Sequence, residues 1–431
     1  MDKLQLGVGR AVITPKVGGE LFGYFTEFYS DSLHDDLTAT AYYFKQGDTQ
    51  ALLVSLTVGS LQTQMMNNLR RTVQEKFSIP ATNCIFAATH THSGPATSGQ
   101  VGWGDVDHEY CDTIFIPGIL SAVQLAMENT HPVTMAVAEG QSLAAINRRQ
   151  PAANGKIILG QNPDGPFDSL MTVVSFKDED GIVANLIHYG MHGTAAGANK
   201  AISRDWSGIM IDALEEKTGA ITAFFNGPEG NIGPRLSNGR TTGGGDYAYV
   251  HEIGGVAARD ALAISENLDN YTDVKLSVSC KMLPLPLQKR MPLEEAKKML
   301  PQYERWLEGA GQEKLIVEHL LETIASYEQG YVDKDVAYVE QTVIALGDVV
   351  FASFPFELFS QPGLELRAAL SEKTVLCLAL ANGSEGYFVT EADIPYGGYE
   401  VEQHLYLHLQ AYANDASHYY VAETVKHIKT L

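Results

Sequence analysis

The sequence predicts an α/β protein in which mixed β-sheets are layered with helices. Apolar runs of strand length alternate with segments of helical periodicity, an order typical of α/β layers. Gly347 and Asp348 separate two apolar runs and indicate a hairpin turn, so some neighbouring strands should be antiparallel. Polar side chains recur where the apolar runs end, which predicts a site at the carboxyl ends of the strands.

The predicted elements follow from hydrophobic periodicity. The strands are apolar runs, each followed by polar or glycine-rich residues, at 83–92, 182–192, 220–227, 348–357 and 374–383. The helices repeat apolar residues every three to four positions and span 62–77, 109–128, 206–219, 249–267, 292–329 and 404–429. The segment 292–329 is long enough to form a helical hairpin.

The length and organisation of the chain favour one large domain. At 431 residues it could form one large core or two. We find no internal repeat, low-complexity tract or linker, so we expect a single domain over 1–431. The one candidate boundary lies near 270–285, and the helical segment at about 290–330 is interpreted as an insertion.

The charge of the chain excludes some classes of partner. Asp and Glu number 52 against 30 Lys and Arg, a formal net charge of −22. Such a field repels nucleic acid and anionic membrane surfaces, so we expect neither a nucleic-acid partner nor stable membrane association. A small-molecule substrate is the expected ligand, and the sequence does not define an oligomeric state.

Cysteine usage and the N-terminal residues favour a cytoplasmic protein. The four cysteines are scattered and form no Cys-x-x-Cys pair. The N-terminus lacks the basic segment followed by an apolar segment that is typical of a signal peptide. No stretch approaches the roughly 18 uncharged apolar residues that a membrane span needs.

Several polar residues at the strand ends are the candidate site. They are His90, His92, His192, Asn226, Glu357 and Asn382. Alternation along a strand places His90 and His92 on one face. Such a pair either offers imidazole to a divalent metal or to acid–base chemistry, or is a hydrogen-bonded structural pair.

The remaining strand ends supply partners for this pair. His192, followed by Gly-Thr, is a better site candidate than His188, whose deeper position indicates a core histidine. Glu357 lies between aromatic and aliphatic residues, where an unpaired carboxylate is costly, so it needs a metal or an arginine beside it. Two histidines and a carboxylate from separate strand ends are the usual protein ligands of a catalytic zinc site.

The order of six motifs resembles that of the neutral (non-lysosomal) ceramidase family. The motifs are "ATHTHSGPA", "INRRQPA", "MHGTAAGANKAISRDWSG", "FFNGPEGNIGPR", "FPFELFSQPGLELR" and "NGSEGYFVTEADIPYGGYE". The resemblance covers about residues 5–400, the catalytic part of that family. It implies a single ceramidase-like catalytic domain, and we expect the C-terminal β-sandwich domain of secreted ceramidases to be absent.

The resemblance also implies roles for individual residues. The family's zinc ligands correspond to His90, His192, Glu357 and Tyr387, with one Zn²⁺ expected per chain. Its other catalytic positions correspond to His92, Arg148 and Tyr399. Arg148 could instead form a salt bridge to a carboxylate, and the neighbouring Arg149 competes for the same assignment.

One departure from the family lies in the fourth motif. Ceramidases carry Gly-Asp-x-Ser-Pro-Asn where this chain has Gly230-Asn231-Ile232-Gly233-Pro234-Arg235. Gly233 replaces the family's serine and has no side chain to attack with, so we expect metal-bound water to be the nucleophile. We interpret this segment as a flexible loop whose backbone N–H groups bind an oxyanion or a phosphate, with Asn226 and Arg235 contacting substrate.

The sequence therefore predicts a zinc-dependent hydrolase that uses metal-activated water. Its substrate is expected to be an amide (N-acyl) or related acyl bond of a soluble polar molecule rather than ceramide itself. Two alternatives remain open: a metal-dependent enzyme acting on a phosphoester or glycoside-type substrate, and a non-catalytic protein that binds a metal or ligand.

Overall fold

The computed structural model describes residues 2–308 and 311–431 and shows the predicted α/β architecture. In chain order, the strands of the described part are β1 (Gln5–Val12), β2 (Ser32–Leu33), β3 (Thr38–Gln46), β4 (Thr49–Leu56), β5 (Cys84–Ala88), β6 (Thr130–Pro132), β7 (Thr134–Gln141), β8 (Ala145–Pro151), β9 (Ile157–Asn162), β10 (Leu170–Lys177), β11 (Ile182–Tyr189), β12 (Ala201–Ile202), β13 (Ile221–Asn226), β14 (Ile232–Pro234), β15 (Leu276–Pro286), β16 (Val336–Leu346), β17 (Val349–Ser353), β18 (Glu357–Leu358), β19 (Thr374–Leu378) and β20 (Tyr387–Phe388).

Helices cover these strands. They are α1 (Thr63–Phe77), α2 (His108–Tyr110), α3 (Ile116–Glu128), α4 (Trp206–Thr218), α5 (Ala248–Ser265), α6 (Leu293–Tyr303), α7 (Gln312–Glu328), α8 (Ser360–Ala369), α9 (Tyr399–Tyr406) and α10 (Ala416–Ile428). A π-helical turn, Cys111–Phe115, joins α2 to α3. The predicted helix at 404–429 is wrong in one respect, because the segment between α9 and α10 is not helical.

Three larger sheets share one apolar core. Their strand orders are β5-β4-β3-β1-β6, β13-β11-β10-β7 and β15-β16-β17-β19. Alternation divides each strand between two cores, as in β3, where Tyr42 and Phe44 enter the shared core and Tyr43 faces the helices outside. The shared core contains residues from before and after 270–285, including Leu186 and Ile344, so packing is continuous across that candidate boundary.

Each of the three sheets contains one parallel pair, and these pairs position the site. The pairs are β4 with β5, β11 with β13, and β17 with β19. The other pairings in these sheets are antiparallel, including the predicted hairpin of β16 and β17 around Gly347. The carboxyl ends of the parallel strands meet, since the Ala379 N–H after β19 donates to the Asn226 carbonyl at the end of β13.

One described helical stretch, His108–Glu128, is long and apolar enough to cross a membrane by length and composition alone. Core helices of ordinary globular proteins satisfy the same test. Here one face of the stretch packs against β1 and β3 and places Phe115, Ile119 and Val123 in a core cluster. In this structure the stretch therefore serves as a packing layer for the first sheet.

Candidate metal centre

His90 reaches the centre through a left-handed turn rather than through strand alternation. Strand β5 ends at Ala88, and His90 has φ 65°, a conformation that costs a non-glycine residue energy. Its Nδ1 lies 2.5 Å from the carbonyl oxygen of Gly59. The prediction that strand alternation places His90 and His92 on one face is wrong, because both residues lie beyond the end of β5. Their rings nevertheless meet, with the two Nε2 atoms 3.3 Å apart.

His192 is brought beside His90 by a short parallel bridge between Thr91 and Gly193. A Cβ on Gly193 would lie 2.4 Å from the His90 carbonyl oxygen, so only glycine permits this close approach. The Nδ1 atom of His192 lies 2.9 Å from the carbonyl oxygens of Glu229 and Ile232. These contacts fix the ring with Nε2 pointing towards His90 and Glu357.

Glu357 and Tyr387 are direct register partners in the two-stranded parallel pair β18–β20. The Glu357 Oε2 atom lies 3.1 Å from His192 Nε2 and 3.4 Å from His90 Nε2. The Tyr387 hydroxyl lies 3.4 Å from His192 Nε2. The four residues predicted as ligands thus converge from four separate segments of the chain.

The hydrogen-bonding state of this group fits a cation. Carbonyl oxygens only accept, so the Nδ1 atoms of His90 and His192 carry the protons and both Nε2 atoms are lone-pair donors. Glu357 Oε2 faces these two nitrogens at ion-pair distance but accepts no hydrogen bond. Three acceptors that face one another without a proton or cation between them repel, so the residues present fit a divalent metal.

One pKa shift agrees with this interpretation. Burial and the nearby Arg148 lower the pKa of His192 to about 3, so its imidazole is neutral at pH 7. A neutral imidazole is the state that a metal requires of a histidine ligand.

His92 lies beside these ligands under an aromatic loop. Its Nδ1 atom is 3.2 Å from the Gly23 carbonyl oxygen, and its ring packs edge-on against Phe22 and Tyr24. A Cβ on Gly23 would lie 2.4 Å from the imidazole, so glycine allows the loop to approach. Burial and the two neighbouring histidines lower the pKa of His92 well below its usual value.

Arg148 contacts both the centre and a buried ion pair. It donates to the Tyr387 hydroxyl at 2.8 Å and to Glu400 at 2.9 Å. Arg149 donates to the other Glu400 oxygen at 2.7 Å and to Asp393 at 3.0 Å. Arg148 therefore does what both predictions expected, since it forms a salt bridge with Glu400 and also contacts Tyr387 of the centre. Arg149 contacts Glu400 and Asp393 instead of Tyr387.

The second predicted tyrosine completes this side of the site. Tyr399 begins α9, its ring centroid lies 5.6 Å from that of Tyr387, and its hydroxyl accepts a hydrogen bond from Gln403. Trp103 packs edge-on against it. Because this hydroxyl acts as an acceptor towards Gln403, its own proton can still be donated to another group.

Three other sequence candidates occupy different positions. The Asn226 amide bonds to the backbone of Thr89 and Met191, so it ties strand ends together, and contact with substrate would require it to break these bonds. Asn382 similarly clamps the backbone of Cys84 and Phe86. The Nε atom of Arg235 is buried without a hydrogen-bond partner.

The predicted flexible loop around Gly233 is wrong. Residues Ile232–Pro234 form β14, which pairs antiparallel with β8. A Cβ on Gly233 would lie 2.5 Å from the Cβ of Thr241, so the space that a serine side chain needs is filled. The segment is rigid because its backbone belongs to a sheet.

Sequence reasoning missed Glu229. This residue follows β13, is 0% exposed, and has no hydrogen-bond partner on either carboxylate oxygen. It groups with His90 and Glu357, with ligand atoms all within 4.8 Å of one another, and a second group joins His90, His92 and His192. Burial and the charge of Glu357 raise the pKa of Glu229 well above its usual value. Its place three residues after a strand end was the available signal.

Fold and site together define an α/β protein with a buried centre of imidazole, carboxylate and phenol groups, the donor types that divalent metals bind. The chain belongs to the neutral/alkaline non-lysosomal ceramidase family, whose N-terminal model matches residues 4–244. That match contains His90, His92, Arg148 and His192. Glu357, Tyr387 and Tyr399 lie beyond it.

The chain also resembles known proteins in sequence and in fold. The chain is 25% identical over 305 residues to the neutral ceramidase of Pseudomonas aeruginosa, which covers 62% of this chain and 44% of that protein. It thus spans less than half the length of this curated relative. The crystal structure of neutral ceramidase from Pseudomonas aeruginosa matches 99% of this chain and 74% of that one with a TM-score of 0.76 at 20% identity. A ceramidase complexed with C2 matches 99% of this chain and 74% of its own, with a TM-score of 0.74 at 18% identity.

Proposed function

We propose that this protein is a zinc-dependent hydrolase that cleaves an amide (N-acyl) or related acyl bond. One observation carries the proposal: buried nitrogen and oxygen acceptors of His90, His192 and Glu357 face one another at ion-pair distance, an arrangement that a divalent cation would satisfy. Membership of the ceramidase family supports hydrolysis of an acyl amide as the chemistry. The donor set of two imidazoles, a carboxylate and a phenol is compatible with Zn²⁺.

His90, His192, Glu357 and Tyr387 would hold the metal. When bound, Zn²⁺ lowers the pKa of a water molecule and polarises a carbonyl group. The Arg148 guanidinium donates a hydrogen bond to the Tyr387 hydroxyl oxygen. This bond uses one lone pair of the oxygen, and the other lone pair stays free for the metal. Burial raises the pKa of Tyr387 and the Arg148 charge opposes this, so the arginine favours the phenolate form.

His92 is the proposed proton carrier. Its Nδ1 atom faces the Gly23 carbonyl oxygen, which favours the tautomer with a proton on Nδ1 and a free Nε2. The free Nε2 can accept a proton from attacking water and deliver it to the leaving amine. His92 is more accessible than His90 and His192, as a group that must reach the substrate should be.

Arg148 and Tyr399 are proposed to act on the acyl carbonyl. The Tyr399 hydroxyl accepts from Gln403, so its own proton can be donated to an oxygen that gains negative charge. Arg148 lies within 6.0 Å of both tyrosine rings and adds positive charge to the same region. Together they would stabilise the charge that develops when the carbonyl is attacked.

Water is the proposed nucleophile. Gly233 offers no side chain, and Thr241 fills the adjacent space. Direct attack by water needs no covalent acyl intermediate. The backbone of β14 holds His192 in place, because the Ile232 carbonyl accepts from the ring.

The proposed substrate is a soluble, polar N-acyl compound, and the proposed location is the cytoplasm. A net charge of −22 disfavours approach to anionic membranes, where a lipid substrate would be found. The four cysteines are free in the structure, as is usual in a reducing compartment. Cell fractionation tests the location.

A substrate screen tests the function. The purified, zinc-loaded protein is incubated with N-acyl, ester and phosphoester compounds, with ceramide as a further member, before and after chelation. We expect turnover of an N-acyl compound that chelation removes and added zinc restores. Turnover of phosphoesters alone would favour the alternative of a metal-dependent enzyme that acts on phosphoester substrates. Metal binding without any turnover would indicate a non-catalytic binding protein.

A further inference from the structure

Glu229 is the fully buried side chain for which the proposed mechanism has no use. It lies three residues beyond the end of β13, and its backbone carbonyl already accepts from the His192 ring. Neither carboxylate oxygen has a hydrogen-bond partner, although the residue is 0% exposed. A buried carboxyl group without partners costs several kcal/mol, so something must compensate it.

Protonation does not remove this cost. A carboxylic acid has an O–H group that itself needs an acceptor, and none lies within hydrogen-bond distance of Glu229. Arg148, whose charge lowers the pKa of Glu229, donates its side-chain hydrogen bonds to Glu400 and Tyr387 rather than to Glu229. The carboxyl group therefore lies close to His90 and Glu357, and no group in residues 2–308 and 311–431 forms a hydrogen bond with it.

Geometry places Glu229 within reach of the same ion as His90 and Glu357. Ligand atoms of Glu229, His90 and Glu357 all lie within 4.8 Å of one another. Nitrogen and oxygen ligands lie about 2.0–2.2 Å from zinc, so two atoms bound to one ion would be at most about 4.4 Å apart, and a movement of about 1 Å would bring all three within that limit.

We propose that Glu229 is a fifth protein ligand of the metal, an inference that rests on the proposed function. The centre then has two carboxylates, a phenol and two imidazoles, and binds its ion with more than four donors. The second carboxylate makes the donor set richer in oxygen, which favours ions such as Mn²⁺ relative to a site with one carboxylate. It also provides the negative charge that offsets a divalent ion in a buried site.

Metal binding by two variants tests the proposal without relying on activity. Glu229→Gln keeps the shape of the side chain, and Glu229→Leu removes every oxygen. We expect both variants to raise the Kd for Zn²⁺ by more than about 100-fold, beyond the tenfold to hundredfold effect typical of groups outside the ligand shell. The visible absorption of the Co²⁺-loaded protein should intensify in both, because Co²⁺ with fewer ligands absorbs more strongly.

Two controls make the result decisive. The metal-free Glu229→Leu variant should unfold at the temperature of the metal-free parent or above it, since an unpartnered buried carboxyl has been removed, and metal-free Glu229→Gln should unfold close to the parent because an amide takes the place of that carboxyl. Asp168→Asn, which breaks an ion pair with Arg367, should leave the Kd for Zn²⁺ unchanged. A smaller rise in Kd, or an unchanged Co²⁺ spectrum, overturns the role of Glu229 alone. Failure of the parent protein to bind Zn²⁺ or Co²⁺ overturns the proposed function as well.

Discussion

Two buried charged regions lie side by side in this protein, and they differ in how their charges are satisfied. In the arginine cluster, defined as Arg148, Arg149, Glu400 and Asp393, ion pairs of 2.7–3.0 Å connect every member. In the histidine centre, defined as His90, His192, Glu229, Glu357 and Tyr387, nitrogen and oxygen acceptors face one another and three carboxylate oxygens accept no hydrogen bond.

Hydrogen-bond partners, rather than burial, distinguish a structural polar cluster from a binding site. Glu400 and Glu229 are both 0% exposed, so burial alone does not distinguish them. Glu400 has two arginines, whereas Glu229 has no hydrogen-bond partner. A cluster that satisfies itself supports the fold, while one that does not needs an ion from outside.

Removing a ligand should have the largest effect. His90→Ala is expected to abolish stoichiometric Zn²⁺ binding, because it deletes a nitrogen donor at the middle of the centre. His92→Ala should retain the metal and lose turnover, since His92 lies beside the ligands. Metal content by elemental analysis measures both, and equal metal loss would move His92 into the ligand set.

Breaking the arginine cluster should destabilise the fold itself. Glu400→Gln leaves the buried Arg148 guanidinium without a carboxylate and Arg149 with Asp393 alone, and is expected to lower the free energy of unfolding by about 3–5 kcal/mol. Urea denaturation of the metal-free protein measures this. Asp335→Asn, which breaks an exposed pair with Lys289, is the control and should cost less than about 1 kcal/mol. Equal effects would contradict the contrast between the regions.

His188 is a buried histidine outside both regions, and it provides a reference for how burial alone changes the pKa of a histidine. Its Nε2 atom lies 2.9 Å from the Cys377 carbonyl oxygen, and burial lowers its pKa to about 4. Below its unfolded pKa of about 6.5 the unfolded chain binds a proton that the folded protein refuses, so stability falls from pH 6.5 to pH 4.

The expected loss from His188 is at most about 3 kcal/mol over that range. His188→Gln should reduce the slope of the unfolding free energy against pH by the amount that corresponds to about one bound proton. The same change at the exposed His418 should leave this slope as it is. An unaltered slope in the His188 variant would show that this ring does not remain neutral in the fold.

The smallest effect is expected at Gly233. Gly233→Ser forces a Cβ against Thr241 and should cost about 1–3 kcal/mol, as overpacking does. Thr241→Gly in the same chain should recover the loss. Neither variant should release fatty acid from ceramide, because a serine there lies in a paired strand. Fatty-acid release by Gly233→Ser would refute this.

The fold class was predictable because periodicity is local. The strand and helix patterns and the Gly347 hairpin need only neighbouring residues, and the structure confirms the α/β architecture. Element ends were less predictable: β5 stops at Ala88, since a left-handed turn at His90 follows it. The break between α9 and α10 likewise depends on tertiary packing.

Which polar residues serve which purpose was harder to predict. His192 and Asn226 both lie at the ends of apolar runs. The His192 ring faces the centre, whereas the Asn226 side chain is hydrogen-bonded to the backbone. Their sequence contexts do not differ in a way that reveals this. Tyr387 was reached only through resemblance, since its pairing with Glu357 is a contact between two-residue strands far apart in the chain.

By itself, the sequence determined the layered architecture, the acidic surface and the presence of histidines and a carboxylate at strand ends. Only the tertiary structure decided that Glu229 belongs with them, that Gly233 lies in a strand, and that Arg148 serves two regions. Propensity and periodicity act between neighbours along the chain. Whether a buried group has a partner depends on distances that exist only after the three sheets have packed on one core.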